Sequence, residues 1–580
     1  MAPDFSKLNK EDLIKVVEKL RARKKYGLIW DEERTKEKFE KEAENALPVL
    51  REIASKKLTS SPGDLAHILI EGDNYHTLSV LNYTHQGKVD VIYIDPPYNT
   101  GAKDWKYNNH YVESTDTYRH SKWLSMMKKR LLLAKNVLAD DGIICVTIDD
   151  YEVARLTLLM EELFGEINHL GTIVIKNNPS GRSTEKGFSI AHEYALFFSK
   201  SPKASIGRLE RNENQIARYG ERDNLGSFEW VNFRKHGATR EESPAMFYPI
   251  YLTKRRIRIP MVKWNEKKRE WIVLEKVKGN ETIVLPIDDH GFERRWKWSI
   301  ERAQREIREM KVGVDRNGNL AVYIKSRLNE EGMLPLTWWD NKLYSATAYG
   351  TNLIKEMFSK LQAFSYPKSL WAVRDCLKVM SQKKSAVILD FFAGSGTTGH
   401  AVLEMNKADG GSRQFILCTN NENGIATDVC LPRIKKAIEG YKTPKGEKIM
   451  GLGGNLRYFK TAFVKNSLSQ DDLKIRITNE CTEMLCLREG IFDEIKANGH
   501  YRIFKTGNRI MAVYYSLDRK GIVHLKKELD KLDGDKVLYC FTLDPLGLDK
   551  KDFDSWDNIS LEPIPQKILD IYEEIYEYKS

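Results

Sequence analysis

The sequence predicts an α/β fold: a doubly wound parallel sheet, interrupted by an inserted mixed or β-rich segment and followed by a small C-terminal α+β region. Three observations carry this. Short apolar runs at Ile68–Ile70, Val89–Ile94, Gly142–Ile148, Ala386–Phe391 and Gln414–Thr419 each end in acid or turn residues, with helical stretches among them. The rhythm fades near Pro179 and returns only after Tyr344. Beyond Gly454 about 125 residues remain, enough for a small domain of their own.

At 580 residues the chain is too long for one compact core, and these breaks divide it into 1–60, 61–179, 180–345, 346–453 and 454–580. In the first segment Asn9 can cap a helix over Lys10–Lys25 with Leu13, Val16, Val17 and Leu20 on one face, an arm that packs on the body or binds a partner. His67 precedes the first strand as a packed or edge residue, and Ser121–Val137 has a helical pattern. In the insertion, Arg256–Met261, Trp271–Val277, Thr282–Pro286 and Leu320–Ile324 are short strand candidates broken by turns. Helices are expected again at Asn352–Lys360, Trp371–Met380 and Val429–Tyr441, and the tail holds apolar segments at Arg509–Tyr515 and Lys536–Leu543.

Composition excludes several classes. Hydrophobic residues at 41% and aromatics at 10% are too many for wholesale disorder. No apolar run has membrane-spanning length, and Met1–Lys10 lacks a charged-then-apolar pattern, so a cytoplasmic chain with no membrane is expected. The seven cysteines form no CxxC pair and no Cys/His cluster with zinc spacing, so they read as reduced thiols and no metal is implied. The formal charge of +11 is compatible with a polyanionic partner but gains meaning only where it concentrates. It does so at 251–270, where eight Lys/Arg stand against two Glu, with Trp264, Trp271, Trp296 and Trp298 in the region.

Two motifs carry chemistry. In Val91-Ile-Tyr-Ile-Asp95-Pro96-Pro97-Tyr98-Asn99-Thr100-Gly101, a buried strand delivers an acid, two prolines and an aromatic to the sheet's C-terminal edge. The prolines remove two backbone donors, so nearby carbonyls are left as outward acceptors. A carboxylate plus a carbonyl is what a planar NH2 group needs, and accepting both its hydrogens pulls the nitrogen lone pair out of ring conjugation. Tyr98 adds a flat face on which an extruded base can stack.

In Ile388-Leu-Asp390-Phe391-Phe392-Ala393-Gly394-Ser395-Gly396-Thr397-Thr398-Gly399, a strand turns through small residues into a helix near Thr397. The glycines let a ligand approach the backbone closely, and their amides can hold a carboxylate or phosphate. Dinucleotide spacing and a Walker lysine are both lacking. Asp390 suits an α-ammonium and the amides an α-carboxylate, so an amino-acid moiety fits. Glu422, at the end of the next strand, is placed to accept from ribose hydroxyls, although Asn420, Asn421 and Asn423 crowd that position.

Together these residues resemble the DNA amino-methyltransferases that use S-adenosyl-L-methionine (AdoMet), with Asp-Pro-Pro-Tyr like their catalytic motif and Asp-Phe-Phe-Ala-Gly-Ser-Gly-Thr like their AdoMet motif. The catalytic block precedes the AdoMet block by about 300 residues, an order similar to the permuted β class with its target-recognition domain in the middle. The resemblance implies a Rossmann-like sheet with a catalytic half at 61–179, a target-recognition domain at 180–345 and an AdoMet-binding half at 346–453. Ile70-Glu-Gly-Asp73-Asn resembles the family's acidic motif, implying that Asp73 partners the AdoMet adenine, and Phe364-Ser-Tyr-Pro367-Lys368 implies that Lys368 walls the cofactor pocket. Tyr118-Arg-His-Ser-Lys122-Trp123-Leu and His192-Glu-Tyr194-Ala are familial too.

The likeness is closest to the modification (Mod) subunits of type III restriction-modification systems. It includes Tyr26-Gly-Leu-Ile-Trp30, Phe292-Glu-Arg-Arg295-Trp296, Phe459-Lys-Thr-Ala-Phe463 and Leu485-Cys-Leu-Arg-Glu489-Gly-Ile-Phe492. It implies N6-adenine methylation at a short double-stranded DNA site after base flipping, a homodimer, and in some systems a separate restriction (nuclease-helicase) subunit. Asp95, Pro96, Pro97 and Tyr98 would act on the base; Asp390, Phe391, Phe392, Gly394, Ser395, Gly396 and Thr397 would hold the cofactor. Cytosine N4 methylation uses the same amino chemistry and stays open. So does a non-catalytic AdoMet-binding regulator that binds DNA, against which intact Asp95 and Tyr98 speak.

Overall fold

The computed structural model describes residues 46–60, 65–99, 119–181, 187–211, 213–329, 331–358, 367–467 and 469–544, with parts of 547–577. The expected helix at Lys10–Lys25, Tyr26–Trp30, Tyr118 and Phe364–Tyr366 lie outside the described residues. Two compact units result, Met1–Gly207 with Leu334–Ser580, and Arg208–Met333.

The first unit is built on a sheet of ten described strands. In spatial order they are Ala46–Glu52, Asn455–Lys465, Ala66–Glu71, Gln414–Thr419, Val387–Asp390, Val89–Ile94, Leu138–Ile148, Glu193–Ser199, His169–Ile175 and Trp338–Trp339. The six from Asn455–Lys465 to Leu138–Ile148 run parallel. Antiparallel partners close both sides. Parallel strands with helices on both faces must be apolar throughout, and Val91, Ile92 and Ile94 have no exposed surface. Each such side chain contributes roughly 1.5–3 kcal/mol through burial, which is why the apolar runs were readable. The helix Arg119–Val137 buries Trp123, Leu124, Met127, Leu131 and Ala134, a 3.6-residue stripe, against this sheet.

Two expectations need correction. The boundary at 453/454 cuts the parallel sheet, because Asn455–Lys465 is one of its strands and pairs with Ala66–Glu71. Leu456, Tyr458 and Phe459 are fully buried there, and an apolar strand does not announce locally which sheet it joins. The rest of the tail forms a five-stranded mixed sheet over Asp493–Ala497, Tyr501–Thr506, Arg509–Tyr514, Asp535–Phe541 and Ile559–Ile564. Its Met511, Val513 and Phe541 share one core with the main sheet, so it is no separate body.

The insertion is β-rich as expected, but the compact unit is narrower than 180–345. Glu193–Ser199 and Trp338–Trp339 both lie in the main sheet. Within Arg208–Met333, a four-stranded sheet contains Met310–Val314, Leu320–Arg327, Gly226–Asn232 and Glu221–Asp223. Trp296 and Trp298 are buried, with Trp296 stacked on Phe233 at 5.0 Å, so these two aromatics form core and not a binding face.

Candidate active site

Val387–Asp390 and Val89–Ile94 are neighbours in the parallel sheet, with Ile388 opposite Val91 and Leu389 opposite Ile92. Their C-terminal ends therefore sit side by side, one delivering Asp95 and the other Asp390. In an open α/β sheet that edge is where ligands bind.

Asp95 is half-buried, and its Oδ1 is saturated. It accepts from Tyr98 Oη at 2.8 Å and Thr147 Oγ1 at 2.7 Å, and Lys368 Nζ stands 3.1 Å away. Its Oδ2 has no partner among the described residues and remains as an acceptor. Lys368 Nζ also contacts the Tyr98 hydroxyl and Glu193 Oε2, and lies 4.6 Å from the centre of the Tyr98 ring. Glu193 is buried and also accepts from Asn177 Nδ2 at 2.7 Å. One ammonium thus faces two carboxylates. Burial opposes charge on Lys368, but Asp95 and Glu193 hold its pKa above the ordinary lysine value. Burial, followed by the same two acids, raises Tyr98 well above its usual range, so its phenol stays a neutral donor.

The proline loop is braced from outside. Trp123 Nε1 donates to the Pro97 carbonyl at 2.7 Å, so that carbonyl is not the outward acceptor expected; the Pro96 carbonyl has no partner among the described residues. Asn99 adopts a left-handed backbone with φ 59°, and its Nδ2 donates to the wholly buried Glu152, which His120 also contacts. A left-handed non-glycine residue needs such support, and here it fixes the exit of the loop carrying Tyr98.

On the neighbouring strand, Gly394 and Gly396 take positive φ values of 49° and 79°. The helix Thr397–Asp409 starts immediately after Gly396. Asp390 is buried, accepting at Oδ1 from the Phe392 amide at 3.0 Å and at Oδ2 from Thr398 Oγ1. Burial pushes its carboxyl up to about 7, against the lowering pull of those two donors. Phe391 and Phe392 are buried behind the turn, and the Phe391 carbonyl accepts from Asn74 Nδ2 at 3.0 Å. Ser395 and Thr397 hydroxyls face one another at 3.2 Å.

Asp73 caps the helix Asn74–Thr84, accepting from Tyr75 N at 2.8 Å, and lies 3.4 Å from Arg130 Nη2. An acid ahead of a helix is a cap before it is anything else. Lys368 is brought to Asp95. Glu422 opens a short turn after Gln414–Thr419, beside Asn421, whose Oδ1 accepts from Ala426 N at 3.1 Å. Sequence reasoning missed Thr147, Asn177 and Arg130, and gave Glu193, within the familial His192-Glu-Tyr194-Ala, no role of its own. Glu193 also leads the apolar strand Glu-Tyr-Ala-Leu-Phe-Phe-Ser, an acid where an apolar residue is expected.

The described residues place an acid cluster beside a glycine turn at one sheet edge. Residues 89–427 match the DNA methylase family model for N6 and N4 methyltransferases, and the chain belongs to this family. Among its relatives is the type II methyltransferase M.KpnI of Klebsiella pneumoniae, 37% identical over 356 residues, 60% of this chain and 79% of that one. The EcoPI Mod subunit of a type III restriction-modification enzyme, from Escherichia phage P1, is 30% identical over 61% of this chain and 58% of its own length. The EcoP15I Mod subunit of Escherichia coli is 28% identical over 60% and 58%. The chain therefore spans a little over half of these Mod subunits. The resemblance to such subunits drawn from the motifs agrees with these findings.

Proposed function

We propose that this chain transfers a methyl group from AdoMet to the N6 amine of an adenine flipped out of a short site in duplex DNA. The observation that carries this is Asp95, with one oxygen saturated by Tyr98, Thr147 and Lys368 and the other without a partner among the described residues, next to the turn of Asp390 and Gly394–Thr397. AdoMet, when bound, supplies a methyl already activated by its sulfonium charge. The turn fits its amino-acid end, since Asp390 offers a carboxylate to an ammonium while Gly394 and Gly396 leave the backbone bare.

Asp95 Oδ2 and the Pro96 carbonyl accept the two amine hydrogens, concentrating the lone pair on nitrogen. As positive charge develops there, the second carboxylate of the Lys368 cluster leaves the pocket negative and favours it, and the methylated amine then releases one proton to solvent. Positioning and charge carry the catalysis, and no nucleophilic cysteine is required. Flipping costs a few kcal/mol of stacking and pairing, offset by the pocket and phosphate contacts. Cytosine N4 would use the same acceptors. Asp before Pro-Pro tilts the reading to adenine, and sequencing of DNA from a host expressing the chain, with a readout that separates the two modified bases, tests it. Only N4-methylcytosine at the modified site overturns the adenine assignment.

The same reading implies a cytoplasmic homodimer on duplex DNA, with a restriction subunit as a further partner. Among the described residues no helix is long and apolar enough to cross a membrane. Base recognition is assigned to the Arg208–Met333 unit, where Arg, Lys and Asn can reach groove edges while neighbouring charges hold phosphates. Exchanging this unit for that of a relative with a different site is expected to transfer the new site. A folded, active chimera that keeps the original site would move specificity elsewhere.

Asp390 supplies a pH prediction. Its carboxyl is raised to about 7, so below that pH it is protonated in the free protein and must lose a proton to pair with an ammonium. AdoMet affinity is expected to fall up to tenfold per unit from about pH 7 to about 5.5, a window where an α-amino group stays charged. Calorimetry across this range checks it, with Asp390→Asn expected to bind weakly and without the slope. A flat wild-type profile would remove Asp390 from the cofactor site.

A further inference from the structure

Arg433 lies in the helix Leu431–Glu439 and has no exposed surface. Its Nη1 donates to Ser395 Oγ at 3.0 Å and to Thr397 Oγ1 at 2.7 Å, the two hydroxyls of the glycine turn. Its Nε and Nη2 have no hydrogen-bond partner among the described residues. Burial lowers its pKa to about 10, which leaves it charged at neutral pH.

Among the described residues no carboxylate pairs with it. Its titratable neighbours are Cys430, which burial pushes up to about 12, and Tyr441, also raised by burial. His400 is held uncharged, burial lowering it to about 3. Asp390, the acid of the same turn, is engaged by Thr398 and the Phe392 amide. A buried cation without a counter-ion is costly, and an anionic ligand at this turn would offset that cost.

The hydroxyls say where that charge acts. Each accepts from Arg433, so their two protons must go elsewhere. One can pass between Ser395 and Thr397, which are 3.2 Å apart. The other is left to donate away from Arg433, beside the start of the helix Thr397–Asp409. A fixed cation, an oriented hydroxyl and helix amides form a donor set for a single negative charge. Asp390 on the same turn disfavours a dianion such as phosphate and admits a zwitterion.

We infer that Arg433 is a positioning residue for the carboxylate of the cofactor's amino-acid end, acting through Ser395 and Thr397. This rests on the AdoMet reading above.

The test compares AdoMet with decarboxylated AdoMet, which keeps the adenosine, sulfonium and amine, by calorimetry on the full chain. Wild type is expected to prefer AdoMet by about a hundredfold; Arg433→Met should bring the ratio below about tenfold by weakening AdoMet alone, and Arg433→Lys should restore most of it. Equal weakening of both ligands in Arg433→Met would make the role merely structural and overturn the inference. A wild-type ratio near one overturns it without any variant, even where the methionine form does not fold. Binding of neither ligand by wild type would fell the AdoMet reading itself, and this inference with it.

Discussion

Asp95→Ala is expected to lower methyl transfer at least about a thousandfold, a barrier increase of roughly 4 kcal/mol, while AdoMet binding changes little. The size follows from what the carboxylate does. Oδ1 is the meeting point of Tyr98, Thr147 and Lys368, and Oδ2 is the acceptor left for the amine. Alanine removes both the acceptor and the anchor, leaving Glu193 as the one carboxylate facing Lys368 among the described residues. The lone pair then stays in conjugation with the ring, and the cluster loses one of its two negative charges. Single-turnover rates with saturating AdoMet measure the effect directly. A rate within about tenfold of wild type would mean that Asp95 holds the loop but not the amine.

Gly396→Val is expected to weaken AdoMet binding at least about a hundredfold and to lower stability by roughly 1–2 kcal/mol or more through its left-handed backbone alone. Gly396 has φ 79°, and a Cβ there would stand 3.0 Å from Cys430 Sγ and 3.4 Å from the Ile434 side chain. The helix behind the turn cannot give without carrying Arg433 with it, so strain passes into the hydroxyls it holds. Gly410→Ala is the matched control. Gly410 also has positive φ, at 66°, but nothing lies within 4 Å of its Cβ, and it ends the same helix far from the turn. It should cost stability and leave binding alone. Melting curves and calorimetry on both variants separate the two contributions; unchanged AdoMet affinity in folded Gly396→Val would place the cofactor elsewhere.

What was legible in the sequence was local. The run Val91–Ile94 and the acid, prolines and tyrosine after it are contiguous, and so is the turn from Asp390 to Thr397, so composition alone located both loops. The parallel sheet followed because buried strands are apolar on both faces. What the sequence hid is brought in from a distance. Lys368 precedes the helix Leu370–Met380, and nothing in its neighbours says that its ammonium reaches Asp95 and not the glycine turn. Glu193 and Thr147 belong to apolar strands in which a single polar residue reads as an irregularity until its partner is seen. Asp73 stands in a motif that points to a cofactor acid, and its backbone position also makes it the cap of the helix Asn74–Thr84. The 453/454 boundary failed for the opposite reason: Asn455–Lys465 is a good strand anywhere, and only pairing with Ala66–Glu71 decides where it belongs.

The measurement that tests the central claim most directly uses purified chain, duplex DNA and AdoMet labelled in its methyl group. The DNA is digested to nucleosides and the label is separated by chromatography. The account predicts label in N6-methyladenine for wild type and none above background for Asp95→Ala, with both proteins binding AdoMet alike. Wild type that binds AdoMet and DNA but leaves every nucleoside unlabelled would contradict it, and would make the Asp95 cluster a binding site and not a catalytic one.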